Sequence, residues 1–234
     1  MTKGNMLYEG KAKKIFLTEK DDELIQYFKD DATAFNAEKR GTILKKGVVN
    51  NAISAKLFQH LADAGIPSHF IQQINDREML TRRVKIIPVE VVVRNRATGS
   101  IVKRLGLEEG LIIDPPLIEF FYKDDSLGDP LISEDHIRLL KLATTGQIEE
   151  LRQQALNINE VLKPFFQKKG MFLVDFKLEF GLWSGQIIVA DEISPDTCRF
   201  WDIQTGERMD KDRFRKDLGR IEETYQEVLK RVCG

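Results

Sequence analysis

The sequence of 234 residues has few of the features that mark secreted, disulfide-stabilised or membrane-spanning proteins. It contains two cysteines, Cys198 and Cys233, which are far apart and have no metal-ligand spacing. We therefore expect free thiols in a reducing compartment and no disulfide framework. The first residues contain no apolar core of signal-peptide length, and no apolar run approaches the roughly 18 residues that a membrane span needs. These absences predict a soluble, cytoplasmic protein without a membrane partner.

An excess of one charge is also lacking. Lysine and arginine number 36 against 37 acidic residues, and the formal net charge of −1 argues against a dedicated nucleic-acid binder. The histidines His60, His69 and His136 stand apart, so surface or core positions explain them better than zinc ligation does. The patterns GxSxG, GxGxxG and GxxxxGK[ST] do not occur, so hydrolase, Rossmann and Walker-loop interpretations have no support.

The first part of the chain is rich in predicted strands. Strand-like runs occur at 13–18, 23–29, 69–74, 78–84 and 88–94. Between them, apolar residues recur every four positions from Val49 to Leu61, which predicts a helix over 48–64 that ends before Gly65 and Pro67.

The second part mixes helices and strands. Residues 145–169 are predicted to be mostly helical, with Pro164 bending the helix or ending it. Strands are predicted at 171–180 and 186–193, joined by a hairpin loop. Residues 210–232 are predicted to form one closing helix with Asp210 as its N-cap. This order indicates an α+β fold with a boundary near residue 85.

Three charged residues share one face of the predicted strand at 171–180, because strand side chains alternate between faces. They are Asp175, Lys177 and Glu179. A solvated strand face would explain them too, but the preceding residues are apolar on both faces and predict a central strand. The next strand ends in a second acidic pair, Asp191 and Glu192. Buried carboxylates are costly without a cation, and two that face one gap suit Mg²⁺ beside nucleotide phosphates.

The segment Gly10-Lys11-Ala12-Lys13 could approach a phosphate group. On an extended chain both lysines point the same way, and the small residues between them let the backbone come close to a ligand. Two lysines near a chain terminus are also often simply solvated, so this segment alone is a weak signal.

A third segment, residues 87–100, also suits a phosphate. An apolar strand ends in Arg94 and Arg96, and Thr98-Gly99-Ser100 is predicted to open a short helix. Free N–H groups at a helix start and nearby guanidinium groups both bind phosphate. The alternative is an ordinary N-cap at Ser100 with surface arginines around it.

Together these segments resemble the SAICAR synthetase family. The main motifs are IIPVEVVVRNRATGS over 86–100 and LVDFKLEFG over 173–181, and the resemblance extends over the whole chain through LYEGKAKKIF, KGVVNN, AGIPSHF, VKRLGLEEG, DEISPDTCRFWD and MDKDRFR. It implies an α+β fold in which an N-terminal antiparallel subdomain with one helix, residues 1–85, faces a larger α+β subdomain, residues 86–234. The family binds ATP in the cleft between the two.

The resemblance also implies a reaction. ATP, the carboxylated aminoimidazole ribotide CAIR and L-aspartate give SAICAR, ADP and phosphate through an acyl phosphate, with Mg²⁺ as the metal cofactor, in de novo purine biosynthesis. Two other functions remain as alternatives: a small-molecule kinase with the same ATP and Mg²⁺ site, and a nucleotide-binding regulator without turnover. The expected partners are these small molecules and no nucleic acid, and a homodimer is left open.

Site residues follow from the resemblance by position. The ATP site would contain Gly10, Lys11, Ala12, Lys13, Arg82, Lys123, Lys177, Glu179 and Asp191, with residues 82–86 beside adenine. The Mg²⁺ ligands would be Glu179 and Asp191, and the catalytic residues would be Lys177, Asp175 and Glu179. CAIR would contact Arg94, Gly99, Ser100, Asp175 and Arg199. Lys211 and Arg215 are candidates for the carboxylates of aspartate, only because they are cationic and follow a site-bearing segment.

Overall fold

Two antiparallel sheets form the framework of the computed structural model, which describes residues 2–34 and 39–234. The strands of the N-terminal sheet are β1 Met6–Glu9, β2 Lys13–Leu17, β3 Glu23–Phe28, β6 Phe70–Asn75 and β7 Glu78–Arg82. They are arranged in the order β1-β2-β3-β7-β6. A separate two-stranded ladder is formed by β4 Asp31–Ala34 and β5 Lys39–Thr42.

The second sheet contains the long strands. Its members are β8 Lys85–Arg96, β9 Ile112–Tyr122, β10 Leu131–Ile132, β11 Met171–Trp183, β12 Gln186–Ala190 and β13 Cys198–Asp202. The order is β10-β9-β8-β11-β12, and β13 pairs with the first half of β11. Strand β11 therefore lies between β8 on one side and β12 and β13 on the other. This confirms the prediction of a central strand.

Helices cover both sheets. They are α1 Lys46–Asp63, α2 Ser100–Leu105, α3 Glu134–Leu139, α4 Thr145–Lys168, α5 Asp212–Arg215 and α6 Ile221–Cys233. Helix α4 packs on β8 and β11, while α1 packs between the N-terminal sheet and α6. The apolar face predicted for α1, from Val49 to Leu61, is fully buried. No helix within the described ranges is long and apolar enough to cross a membrane.

The predicted α+β class is confirmed. The chain passes from one sheet to the other between Arg82 and Lys85. However, α6 from the end of the chain packs on α1 from its beginning. The domain boundary at residue 85 therefore stays a prediction.

Helix α4 continues through Pro164, so of the two predicted alternatives, a bend or an end, the end is wrong. Proline has no N–H to donate to the carbonyl four residues earlier, which belongs to Glu160. Both residues are exposed, so water can hydrogen-bond to that carbonyl.

The single closing helix predicted over 210–232 is also wrong. It is divided into α5 and α6 by a turn in which Asp217, Gly219 and Arg220 all have positive φ, at 52°, 68° and 50°. Left-handed residues cannot continue a right-handed helix. At the start of α5 the N-cap position belongs to Lys211 and not to Asp210, although the Asp210 carboxylate accepts the N–H of the second residue after it, at 2.7 Å.

Candidate active site

A cleft between the two sheets contains a cavity of about 370 Å³. Ile15 and Leu24 line its apolar end from the N-terminal sheet, and Val84 and Ile86 line it where the chain passes between the sheets. Charged side chains of the second sheet line the other end. An apolar slot beside a charged pocket suits a ligand with a flat ring and a phosphate chain.

Three lysines meet two carboxylates at the charged end of the cleft. Lys123 Nζ lies 2.8 Å from Glu179 Oε1, and Lys177 Nζ lies 3.0 Å from the same oxygen. Lys13 forms an ion pair with Asp191. These are the lysines and carboxylates that the sequence predicted for ATP and Mg²⁺, and the fold brings them together from four separate strands and loops.

Strand register explains the arrangement of the carboxylates. Lys177 and Glu179 are two residues apart on β11, so both side chains project from one face. Glu179 is paired with Ala190 of β12, and the next residue after Ala190 is Asp191. Asp191 has φ of 64°, a left-handed conformation that ends the strand. Adjacent strands thus deliver both carboxylates to the cleft.

The cluster keeps its charges although it is partly buried. Burial alone would lower the pKa of Lys13 and of Lys177, but the surrounding carboxylates outweigh burial and raise both values above the ordinary one. Burial would likewise raise the pKa of Asp191, yet the nearby lysines, Lys13 first, lower it. The lysines and Asp191 are therefore ionised at neutral pH, as phosphate and metal binding both require.

Glu179 and Asp191 fit a Mg²⁺ ion that arrives with a nucleotide. Carboxylate oxygens are suitable ligands, and Mg²⁺ commonly takes one or two of them and completes its octahedron with phosphates and water. In residues 2–34 and 39–234, no group of three or more His, Cys, Asp or Glu side chains is arranged to hold a metal ion. The donor set thus suits a shared metal better than a cage made by protein alone, and the two ligand assignments remain predictions.

The segment Gly10 to Lys13 lines the mouth of the cleft. The Gly10 N–H donates to the Lys13 carbonyl at 2.8 Å, which makes a tight turn before β2. Lys11 Nζ lies 2.7 Å from Asp125 Oδ1 at the other side of the mouth. Gly10, Lys11, Ala12 and Lys13 all border the cavity, so this backbone is accessible to a ligand in the cleft.

Arg82 also borders the cleft, but its guanidinium holds structural elements together. One nitrogen donates to the carbonyls of Ser68 and Phe70, both at 3.0 Å. The guanidinium lies 4.9 Å from the centre of the Trp183 ring, a cation–π distance. A direct contact of Arg82 with ATP stays a prediction.

A second cavity, of about 470 Å³, contains the predicted anion-binding residues. Arg94 Nη1 lies 2.7 Å from Asp175 Oδ2, and Arg199 Nη1 lies 2.9 Å from the same oxygen. Ser100 Oγ lies 3.5 Å from Arg94 Nη2. A guanidinium has five N–H donors, so both arginines keep donors for a phosphate while Asp175 holds them side by side.

Gly99 is required by this packing. Its φ and ψ are 67° and −129°, a backbone conformation that residues other than glycine rarely adopt. A Cβ atom there would lie 2.9 Å from Arg199 Nη2. Any larger residue would displace the guanidinium, so the predicted glycine lies beside the arginine and gives it room.

The two candidates for aspartate lie on the wall of the second cavity. Lys211 Nζ lies 3.3 Å from Asp196 Oδ2, and Arg215 Nη1 lies 2.7 Å from Asp212 Oδ1. Lys211 also lines the cleft. Their assignment to aspartate stays a prediction.

Several residues that line the cavities received no role from the sequence, and Glu90, Asp196 and His69 are examples. Glu90 Oε1 lies 2.6 Å from Lys177 Nζ, and a single acid inside the apolar strand PVEVVVR could have indicated it. Asp196 lines both cavities. His69 lines the cleft, is 4% exposed, and has its pKa lowered to about 4, chiefly by burial. An isolated histidine gives no signal in the sequence.

Comparisons with known proteins all agree. The profile of a family described as SAICAR synthetase matches residues 6–232. A phosphoribosylaminoimidazole-succinocarboxamide synthase of Chlorobium phaeobacteroides (strain BS1) is 58% identical over 232 residues, which cover 99% of this chain and 98% of the relative. The crystal structure of such a synthase from Ehrlichia chaffeensis superposes with a TM-score of 0.95 at 47% identity, covering 97% of this chain and 98% of the other. A SAICAR synthetase in complex with ADP superposes with a TM-score of 0.94 at 45% identity, covering 97% of each chain.

Proposed function

The chain belongs to the SAICAR synthetase family, and on that premise we propose how its own residues carry out the reaction. The protein is an ATP-dependent ligase that joins L-aspartate to the carboxylate of CAIR in purine biosynthesis. The proposal concerns which residues bind each substrate and where the substrates meet.

The observation that supports it is the position of Lys177, which lines both the cleft and the second cavity. Asp175 lies before it on β11, among the arginines, and Glu179 lies after it, among the lysines of the cleft. ATP in the cleft and CAIR in the second cavity would therefore meet at Lys177. The γ-phosphate and the CAIR carboxylate are the reacting groups at that junction.

Each end of the site matches one substrate. Lys11, Lys13 and Lys123 would contact the ATP phosphates, and Glu179 and Asp191 would hold Mg²⁺. Arg94, Ser100 and Arg199 would grip the 5′-phosphate of CAIR, and Asp175 would orient its head group. Lys211 and Arg215 would bind the carboxylates of aspartate.

A carboxylate does not react with an amine at neutral pH, so the first step must activate it. An oxygen of the CAIR carboxylate attacks the γ-phosphorus, and the bond from phosphorus to the ADP oxygen breaks. Both reactants are anions, and the ammonium groups of Lys177, Lys13 and Lys123 offset their repulsion and stabilise the charge on the phosphoryl group in transfer. When bound, Mg²⁺ supplies further positive charge at the phosphate oxygens.

The second step forms the amide. The neutral amine of aspartate attacks the acyl carbon, a C–N bond forms, and the bond from that carbon to the phosphate oxygen breaks. The nitrogen loses one proton, which the departing phosphate or solvent takes up. Water would hydrolyse the acyl phosphate, so the junction must be closed while the intermediate exists.

The test is the release of ADP by the purified protein, followed with a coupled assay while each substrate is omitted in turn. We expect steady ADP release only when ATP, CAIR and aspartate are all present, with SAICAR formed in equal amount. Sustained ADP release without aspartate, together with a stable phosphorylated product, would identify a kinase instead. ATP binding with no ADP release under any condition would indicate a regulator.

A further inference from the structure

A largely buried cluster lies beside the two cavities, and two of its members, Asp196 and Lys211, line both of them. At its centre is the carboxylate of Asp196. Tyr225 OH lies 2.8 Å from Oδ1, and Lys46 Nζ lies 2.9 Å from Oδ2. Lys211 Nζ lies 3.3 Å from that same Oδ2. Lys46 and Tyr225 are each 1% exposed, so neither polar group contributes to the solubility of the protein.

Two helices hold this cluster from behind. Lys46 is the first residue of α1, and Ser54, eight residues further on, donates from Oγ to the Ile193 carbonyl at 3.2 Å. Residues 46 and 54 share one face of the helix, since positions four apart lie one above the other. Helix α6 packs on α1 and contributes Tyr225. The turn from Ile193 to Asp196 is therefore attached to α1 at Ile193 and to both α1 and α6 at Asp196.

The front of the cluster faces the two cavities. Asp196 and Lys211 line both cavities, at the junction where the aspartate amine must arrive. The two ammonium groups share one oxygen, and Lys46 has the shorter contact. The 3.3 Å contact of Lys211 is longer than the usual N–H···O distance of about 2.9–3.0 Å. A lysine ammonium has three N–H donors and the contact with Asp196 occupies one, so Lys211 keeps donors for another anion.

The electrostatics of Lys211 support a role in binding an anion. Burial is the main cause that lowers its pKa, and the positive charges of Arg215 and Lys46 lower it further, against the attraction of Asp196 and Glu192. A substrate carboxylate beside Lys211 would stabilise its charged form.

We propose that Lys46 and Tyr225 are positioning residues for L-aspartate: by occupying both oxygens of Asp196, they hold the Lys211 ammonium at the junction with donors free for a substrate carboxylate. This inference rests on the proposed function. Without the Tyr225 hydroxyl or the Lys46 ammonium, the Asp196 carboxylate lacks one of its hydrogen-bond donors. It then binds Lys211 more closely and draws it away from the substrate.

The main test is Tyr225→Phe in the full-length enzyme, because this change keeps the buried ring and removes only the hydroxyl. Loss of one hydrogen bond to a charged group should raise the KM for aspartate about 10-fold, while the KM values for ATP and CAIR change by less than about twofold. Lys46→Met should act in the same direction. Lys56→Met, an exposed lysine on the same helix, is the matched control and should leave all three KM values unchanged.

The outcomes separate the inference from the proposed function. An aspartate-dependent enzyme whose KM for aspartate is unchanged in Tyr225→Phe would overturn the inference alone. A similar rise in all three KM values would also overturn it, because that would show a general structural role. A wild-type protein that releases ADP without aspartate would overturn the proposed function and this inference with it. If Lys46→Met fails to fold, the KM for aspartate of Tyr225→Phe alone tests the inference.

Discussion

Replacing Lys177 with methionine tests the centre of the proposed site. Lys177 Nζ lies 2.6 Å from Glu90 Oε1 and 3.0 Å from Glu179 Oε1, so the change removes the cation that two carboxylates share. Breaking a fully buried pair costs about 3–5 kcal/mol. The Lys177 side chain is 28% exposed, so we expect water to reduce the loss to ~1–3 kcal/mol of unfolding free energy.

Two features of the site limit that loss. Burial already raises the pKa of Glu90, so this carboxyl can take up a proton once Lys177 is absent. Glu179 keeps Lys123 as a partner. A domain of ordinary stability, about 5–15 kcal/mol, should therefore stay folded, and urea unfolding would measure the change.

The effect on activity should be much larger than the effect on folding. If Lys177 contacts the phosphoryl group in transfer, kcat should fall by about 10²–10³-fold, with ATP affinity changed much less. Lys177→Arg should not restore kcat, because a planar guanidinium cannot replace a compact ammonium between Glu90 and Glu179. The assay is kcat and ATP affinity for both variants, with Lys163→Met, an exposed lysine on α4, as the control.

The refuting result is clear. Wild-type turnover in either Lys177 variant would mean that this face of β11 is structural and that the chemistry occurs elsewhere. A loss of ATP binding equal to the loss of kcat would place Lys177 in the ground-state binding of ATP and not in the transition state.

Contacts away from Lys177 can be tested in the same way. Arg199→Ala should raise the KM for CAIR by the equivalent of about 1.5–3 kcal/mol and leave that for ATP almost unchanged, and the opposite pattern would reverse the roles of the two cavities. Glu179→Ala should abolish turnover in a protein that still melts cooperatively, and near-normal activity at saturating Mg²⁺ would remove Glu179 from the metal site. The Thr205 N–H and the Arg231 guanidinium lower the pKa of Asp202 to about 2, from an ordinary 3.8. Asp202→Asn should therefore be less stable at pH 7, with a gap that narrows in urea titrations as pH falls below 3.8, whereas a constant gap would contradict the assignment.

Much of the second sheet could be predicted because its pattern is local. Alternation along residues 171–180 predicted which side chains of β11 share a face, and the structure places Lys177 and Glu179 together as expected. The predicted hairpin is also present, but its loop is shorter than the predicted 181–185. Strand β11 continues to Trp183, and the two-residue turn before β12 contains Ser184 and Gly185, both at positive φ. Such signals depend only on neighbours in the sequence.

The break between α5 and α6 could not be predicted from the same kind of pattern. Apolar residues recur at helical spacing across it, at Phe214, Leu218, Ile221 and Tyr225. Periodicity therefore predicts one helix. Only Gly219 hints at an interruption. The turn is held by a side chain of α5, since the Arg213 guanidinium donates to the Leu218 and Gly219 carbonyls, and apolar periodicity does not report such a contact.

In the site, too, local patterns could be predicted and contacts between distant residues could not. Lysines and acids within recognisable motifs were found, but their pairing was not. Lys46 and Asp196 are 150 positions apart, and only the packing of α1 behind the turn after β12 brings them into contact. The pairing of Lys13 with Asp191 likewise depends on how one sheet faces the other. Spacing in the sequence contains no information about either contact.

The pairing of lysines with carboxylates in the cleft also determines how the nucleotide can enter. Before ATP arrives, Lys123 is paired with Glu179 and Lys13 with Asp191, so neither sign of charge is in large excess there. If Glu179 and Asp191 hold Mg²⁺ as proposed, magnesium-bound ATP would bring a cation for the carboxylates and anions for the lysines. Binding would then exchange partners and would not fill a vacant positive patch. A patch of unpaired lysines would attract any polyphosphate, and that binding would weaken steeply with added salt. An exchange of partners would instead favour a ligand that carries both charges in the right places, so the cleft would select for the metal complex over the free nucleotide.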